Sequence, residues 1–165
     1  MKGEMNNMGK GGMKGRHEMK GGCKGHGKGM HRGHAMENEE YAYVREVELG
    51  FDETVKRVKE ELKKEGFGVL SEIKVDELFK EKLDLDMEPY VILGTCNPEF
   101  SSRLIGVDIN SGTFLPCNLV VYVKDGKTYV GLLLPTVAMS ITGNDELLEV
   151  AAKVEEILKG VVDRV

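Results

Sequence analysis

Sulfur and imidazole are distributed unevenly along this chain of 165 residues. Residues 1–40 hold all 4 histidines, 7 of the 9 methionines and one of the 3 cysteines. The candidate metal ligands are Met5, Met8, Met13, His17, Met19, Cys23, His26, Met30, His31, His34 and Met36. Met5 and Met8 are three positions apart, as are His31 and His34, and His26 lies five before His31. Gly11-Gly12-Met13-Lys14-Gly15 recurs as Gly21-Gly22-Cys23-Lys24-Gly25, so a thiol takes the place of a thioether. The property these side chains share is a soft sulfur donor, which selects Cu(I), while imidazole adds affinity for copper, nickel and zinc. Copper(I) is the expected ion. Cys23 with His26, His31 and His34 offers an alternative four-ligand set for zinc, at a spacing that fits no standard zinc-finger pattern.

The same 40 residues contain 11 of the 21 glycines and no Val, Leu, Ile or aromatic residue. They cannot bury enough apolar area to offset about 1–2 kcal/mol per residue of backbone entropy, so disorder is expected in isolation. Glycines between the donors would let such a chain wrap an ion without a pre-built site. Low-complexity padding, with methionine as filler, is the competing reading. Charge divides the chain at the same place: 8 basic against 5 acidic residues in the first 40, a net +3, and 15 against 23 in the remainder, a net -8. The expected organisation is a Met/His/Gly-rich metal-binding tail over 1–40 and a single α+β domain over 41–165.

Several partner classes are excluded on composition. An acidic body does not supply the positive face that displaces phosphate counterions, and the tail has no aromatic for base stacking, so no nucleic acid is expected. No run of 18 apolar residues occurs, so no membrane span is expected. The initial lysines lead into no apolar core of a signal peptide, which points to a cytoplasmic protein. An odd number of cysteines in such a chain argues against a disulfide framework.

The body reads as alternating strands and helices. Tyr43, Val47 and Leu49 alternate with Glu46 and Glu48 over residues 41–49, a half-buried strand. Asp52 is the expected N-cap of a helix carrying Val55, Val58 and Leu62, stopped by Gly66. A second strand over 67–75 precedes a short helix with Leu78, Phe79 and Leu83, capped by Asp76. Pro89 opens a third strand, Tyr90-Val91-Ile92-Leu93, whose unbroken apolar run predicts burial on both faces. Strands over 119–123 and 128–134 meet at Asp125-Gly126, a dipeptide suited to a tight hairpin, and Tyr122 and Tyr129 are expected to pair across it. A long amphipathic helix from Asn144 presents Leu147, Leu148, Ala151, Val154, Ile157 and Leu158. The charged runs over 56–64 and 77–86 read as solvated helix faces, with Lys56–Glu60 and Glu60–Lys64 at i,i+4 spacing. No Gly-x-Gly-x-x-Gly motif or phosphate loop occurs, and the body has no histidine for a triad.

Two segments place polar side chains where a plain core would not. In Gly94-Thr95-Cys96-Asn97-Pro98 a strand ends, Asn97 caps the next helix and Pro98 takes its first position. Cys96 then sits at the helix mouth, where unpaired N–H groups favour a thiolate. In Leu115-Pro116-Cys117-Asn118 a second Cys-Asn pair precedes a strand. The repetition at two strand edges suggests that Cys96, Asn97, Cys117 and Asn118 face a common ligand-binding pocket. Burial of both cysteines as small hydrophobes is the competing reading.

These motifs, in this order, resemble the bacterial and archaeal domain-of-unknown-function 302 family over about residues 43–161. Leu115 to Tyr122 is the more specific segment. The resemblance implies an α+β fold of β-α-β4-α order, one curved antiparallel sheet with helices mainly on one face, similar to half of a TATA-box-binding protein and commonly a homodimer. Thr95 and Ser101 stand where that family more often has alanine, and the loop over 108–114 is reshaped around Gly112. Three functions follow as expectations. The first is a non-enzymatic soft-metal handling protein with a flexible tail on a dimeric ligand-binding domain. The second is a thiol-dependent redox or sulfur-transfer protein using Cys96 and Cys117, whose only nominal bases are Glu99 and Asp108. The third is a small-molecule-binding dimer without chemistry.

Overall fold

The computed structural model describes residues 40–165. The elements run β1 (Ala42–Val47), α1 (Phe51–Lys64), β2 (Gly68–Lys74), α2 (Val75–Leu83), β3 (Tyr90–Cys96), α3 (Pro98–Val107), a 3-10 turn over Ile109–Phe114, β4 (Cys117–Lys124), β5 (Lys127–Leu133), α4 (Pro135–Ser140) and α5 (Asp145–Asp163). The five strands form one sheet in the order β1-β5-β4-β3-β2. Every pairing is antiparallel. This is the α+β class expected, with two short helical elements, over 109–114 and 135–140, added to the simple order.

Alternation divides the sheet into two faces. Val91 and Leu93 of β3, Leu119 and Val121 of β4, and Val130 and Leu132 of β5 pack against Val58 and Leu62 of α1 and against Val154, Leu158 and Val161 of α5. The other face carries Tyr90, Tyr122 and Tyr129, neighbours in register across three strands, with ring centroids 5.6 Å and 5.3 Å apart. Burial of β3 is therefore complete on the helical face only: Val91 and Leu93 are buried, while Tyr90 and Ile92 are half-buried. The expectation of burial on both faces gives way because no helix of the core covers the second face.

Local chemistry explains most element ends. Helix α1 closes as a Schellman motif: Phe67 N–H donates to Leu62 C=O at 2.9 Å and Gly66 N–H to Lys63 C=O at 3.1 Å, with Gly66 at φ +77°. The hairpin turn has Asp125 at φ 54° and Gly126 at φ 75°, the signs a type I′ turn requires. Glu88 supports it by accepting from the backbone N–H groups of Asp125 and Gly126 at 3.2 Å and 3.4 Å. Asn144 caps α5, accepting from Glu146 and Leu147 N–H. Two expected caps are corrected. Helix α1 starts at Phe51 with Gly50 at the cap, and α2 starts at Val75 with Lys74 there, so Asp52 and Asp76 lie inside the first turns. Both carboxylates still meet the positive end of the helix dipole, which tolerates the two-position difference.

Helix α2 departs from its apolar stripe, since none of its residues is buried; Leu78 and Leu83 are exposed. Its charged run is solvated as expected; that of α1 is solvated except at Glu61, which is buried. Of the two i,i+4 pairs expected on α1, Lys56–Glu60 is present at 4.0 Å, whereas Lys64 turns to Glu61 at 2.6 Å. Glu61 is 1% exposed and thus a stronger attractor for that ammonium than a solvated Glu60.

Candidate functional site

The chain brings one end of the sheet against α3, α4 and α5, and a cavity of about 40 Å³ remains there. The end of β3 contributes Cys96, the start of β4 contributes Cys117 and Asn118, and the end of β5 contributes Leu133. Asn97 sits at the cap of α3, which adds Phe100, Ser101 and Leu104; Phe114 and Leu115 come from the 3-10 turn and its exit. Helix α4 supplies Pro135, Ala138 and Met139, and α5 supplies Ala151 and Val154. The volume admits a few waters or one ion, against about 300–1,000 Å³ for the pockets of drug-sized ligands.

Register brings the two Cys-Asn pairs together. Thr95 pairs with Cys117 and Gly94 with Asn118 across β3 and β4, so residues distant in sequence share one sheet end. Gly94 is required by that approach: a Cβ there would collide with Ser71 Oγ and come within 2.8 Å of Pro116 Cγ. Thr95 is fully buried and donates its hydroxyl to Gly68 C=O at 3.0 Å, which accommodates a polar residue in the core.

Cys96 and Cys117 are free thiols, both half-buried. Burial first, and charge at Cys96 second, push the Cys117 thiol up to about 11. Cys117 is thus fully protonated at neutral pH unless an ion displaces the proton. Asn97 is committed to structure. Its Oδ1 accepts from Glu99 N–H at 2.9 Å and its Nδ2 donates to Glu65 C=O at 3.4 Å. Replacing it by alanine is expected to cost about 1 kcal/mol in denaturant unfolding; a stability within about 0.3 kcal/mol of the parent would contradict the capping role. Asn118 is exposed at the rim.

No carboxylate and no imidazole lines the cavity. Asp108 caps the 3-10 turn by accepting from Asn110 N–H at 2.8 Å, and Glu99 is exposed in the first turn of α3. Neither nominal base is among the lining residues. Met139 is the lining residue that sequence reasoning missed. It is 4% exposed and packs with Leu104, Leu147, Val150 and Ala151. The signal for it was available: only two methionines lie outside residues 1–40. Its helix is pinned by Glu155 of α5, whose carboxylate accepts from both the N–H and the hydroxyl of Thr136. The eleven N-terminal candidate ligands from Met5 to Met36 lie outside the described residues.

The family model for the domain of unknown function DUF302 matches residues 43–165. The chain belongs to the DUF302 family. A crystal structure of an uncharacterized conserved DUF302 protein from Bacillus stearothermophilus is 40% identical, with a TM-score of 0.73, and the match covers 76% of this chain and 98% of that one. No curated protein matches. That chain consists almost entirely of the matched region.

Proposed function

We propose that this protein binds and handles a soft metal ion of the Cu(I) kind. Its first 40 residues act as the ligand-rich capture segment, and its DUF302 domain acts as a dimeric ligand-binding unit in the cytoplasm. The observation that carries the reading is the confinement of every histidine and 7 of 9 methionines to those 40 residues, since a plain spacer has no reason to concentrate soft donors. Two features of the domain favour it over thiol catalysis. Cys117, raised to about 11, makes a poor free nucleophile at neutral pH, and no carboxylate or imidazole lines the cavity to act as a base. The cavity's size favours an ion over an organic ligand. Dimerisation has support in the apolar face away from α1 and α5, with its rank of three tyrosines. Among the described residues no helix is long and apolar enough to cross a membrane.

Titration of the reduced full chain with Cu(I) against a competing chelator is expected to give tight binding. Zn(II), offered under the same conditions, is expected to bind at least about a thousandfold more weakly, because methionine sulfur contributes little to zinc. Equal affinity for the two ions would sink the soft-donor reading and favour the set of Cys23, His26, His31 and His34.

A further inference from the structure

We infer that helix α4 is a hinged lid over the cavity, and that Glu155 of α5 is the latch that holds it shut. The helix spans Pro135–Ser140, six residues, well below the roughly 12–15 that a helix needs to persist without tertiary support. Its place is therefore set by what it touches. Met139 is its one buried residue, while Val137 and, just past its end, Ile141 are exposed. Met139 packs with Leu104 of α3 and with Leu147, Val150 and Ala151 of α5. Glu155 adds a polar anchor to this apolar one: its carboxylate accepts from the Thr136 N–H at 3.0 Å and from the Thr136 hydroxyl. Lys159, one turn further along α5, lies 2.7 Å from the same carboxylate and fixes its orientation. The Glu155 side chain is 13% exposed, so these charged hydrogen bonds are less screened than bonds at the surface.

Both ends of the helix provide a pivot. Leu134 precedes it in extended backbone, and the Leu134 N–H donates to Tyr41 C=O at 2.9 Å, which ties the upstream pivot to the residue before β1. Downstream, Gly143 takes φ +62°, a left-handed conformation that glycine adopts at no steric cost. Asn144 then starts α5 through its own capping bonds. Rotation about these two points moves residues 135–142 and leaves the sheet and α5 in place. The strands of the cavity wall are locked in the sheet, and its other α-helices, α3 and α5, are 10 and 19 residues long. A short element with few buried contacts is the part of a fold that opens locally, at less cost than global unfolding. Opening uncovers a defined surface. Cys117 packs on the helical side of the sheet and lines the cavity together with Pro135, Ala138 and Met139, so a rotated lid admits small solutes to it.

The lid governs access to the cavity whatever enters it, so it stands or falls apart from the soft-ion reading. Its test follows two side chains of the full chain by peptide mass spectrometry at pH 7. One is sulfoxidation of Met139 by dilute peroxide, with the exposed Met87 as internal reference; the other is alkylation of Cys117 by iodoacetamide. Glu155→Ala removes both latch bonds and is expected to speed each reaction at least about tenfold. Thr136→Val removes the hydroxyl bond, keeps the N–H bond and is expected to speed each about threefold. Oxidation of Met87 and hydrogen exchange of the β4 amides stay at parent rates, which marks the opening as local. If Glu155→Ala fails to fold, Thr136→Val carries the test. Parent rates at both Met139 and Cys117 overturn the latch. A faster Met139 beside an unchanged Cys117 overturns the lid, because α4 then moves without opening the cavity. Acceleration that the β4 amides share is global unfolding and overturns it as well.

Discussion

Replacing Glu61 by glutamine is expected to lower the melting temperature of the protein by roughly 5–10 °C at pH 7. Glu61 is the most buried charge of the fold, 1% exposed on the inner face of α1. Lys64 Nζ lies 2.6 Å from its carboxylate, Arg164 Nε 2.9 Å and Arg57 3.2 Å. Arg164 follows α5 directly, so this carboxylate ties the end of the last helix to the first. A glutamine amide keeps the shape but turns donors toward donors and removes the charge that three cations share. The same carboxyl is held down at about 2, first by the Lys64 hydrogen bond and then by that of Arg164. Its ordinary value is 4.5. A depressed carboxyl contributes stability that is fully present above the unfolded value and is lost as pH falls toward the folded one. The gap between parent and Glu61→Gln is therefore widest above pH 4.5 and closes toward pH 2. A gap that stays constant across that range would show that packing, not charge, makes the difference.

The second large effect is kinetic. At pH 7 iodoacetamide is expected to alkylate Cys117 about a hundredfold more slowly than an unperturbed thiol, because a thiol at about 11 rather than 9.0 holds about a hundredfold less thiolate. The rate should rise about tenfold per pH unit from 6 to 9. Mass spectrometry of the alkylated peptide separates it from Cys23 and Cys96. Labelling of Cys117 at the speed of a free thiol would mean that its surroundings are wetter than the structure has them.

Much of the fold is legible in local chemistry. Gly66 fixes the end of α1, Asp125-Gly126 the hairpin, and Asn144 the start of α5, each through a conformation or capping bond that few residue types supply. Helix α4 and the turn over 109–114 escape because elements of six residues show no more than two turns of periodicity. The exposed leucines of α2 mislead because an apolar stripe predicts a helix face without saying whether anything covers it. In the site, repetition of Cys-Asn at two strand edges is visible in sequence. What is not visible is the pairing of Thr95 with Cys117, a long-range register, or the return of the chain after β5 that lays Met139 over the same cavity. Asn97 is read correctly as a cap.

The account rests on soft-ion capture by residues 1–40, and ion stoichiometry tests it most directly. Cu(I) bound per chain, under a chelator that removes weakly held ion, is measured for the full chain and for residues 41–165 at equal protein concentration. The account predicts that the full chain holds at least one ion more than the domain. Equal counts for both would contradict it, and the histidines and methionines of the first 40 residues would then be sequence without a metal function.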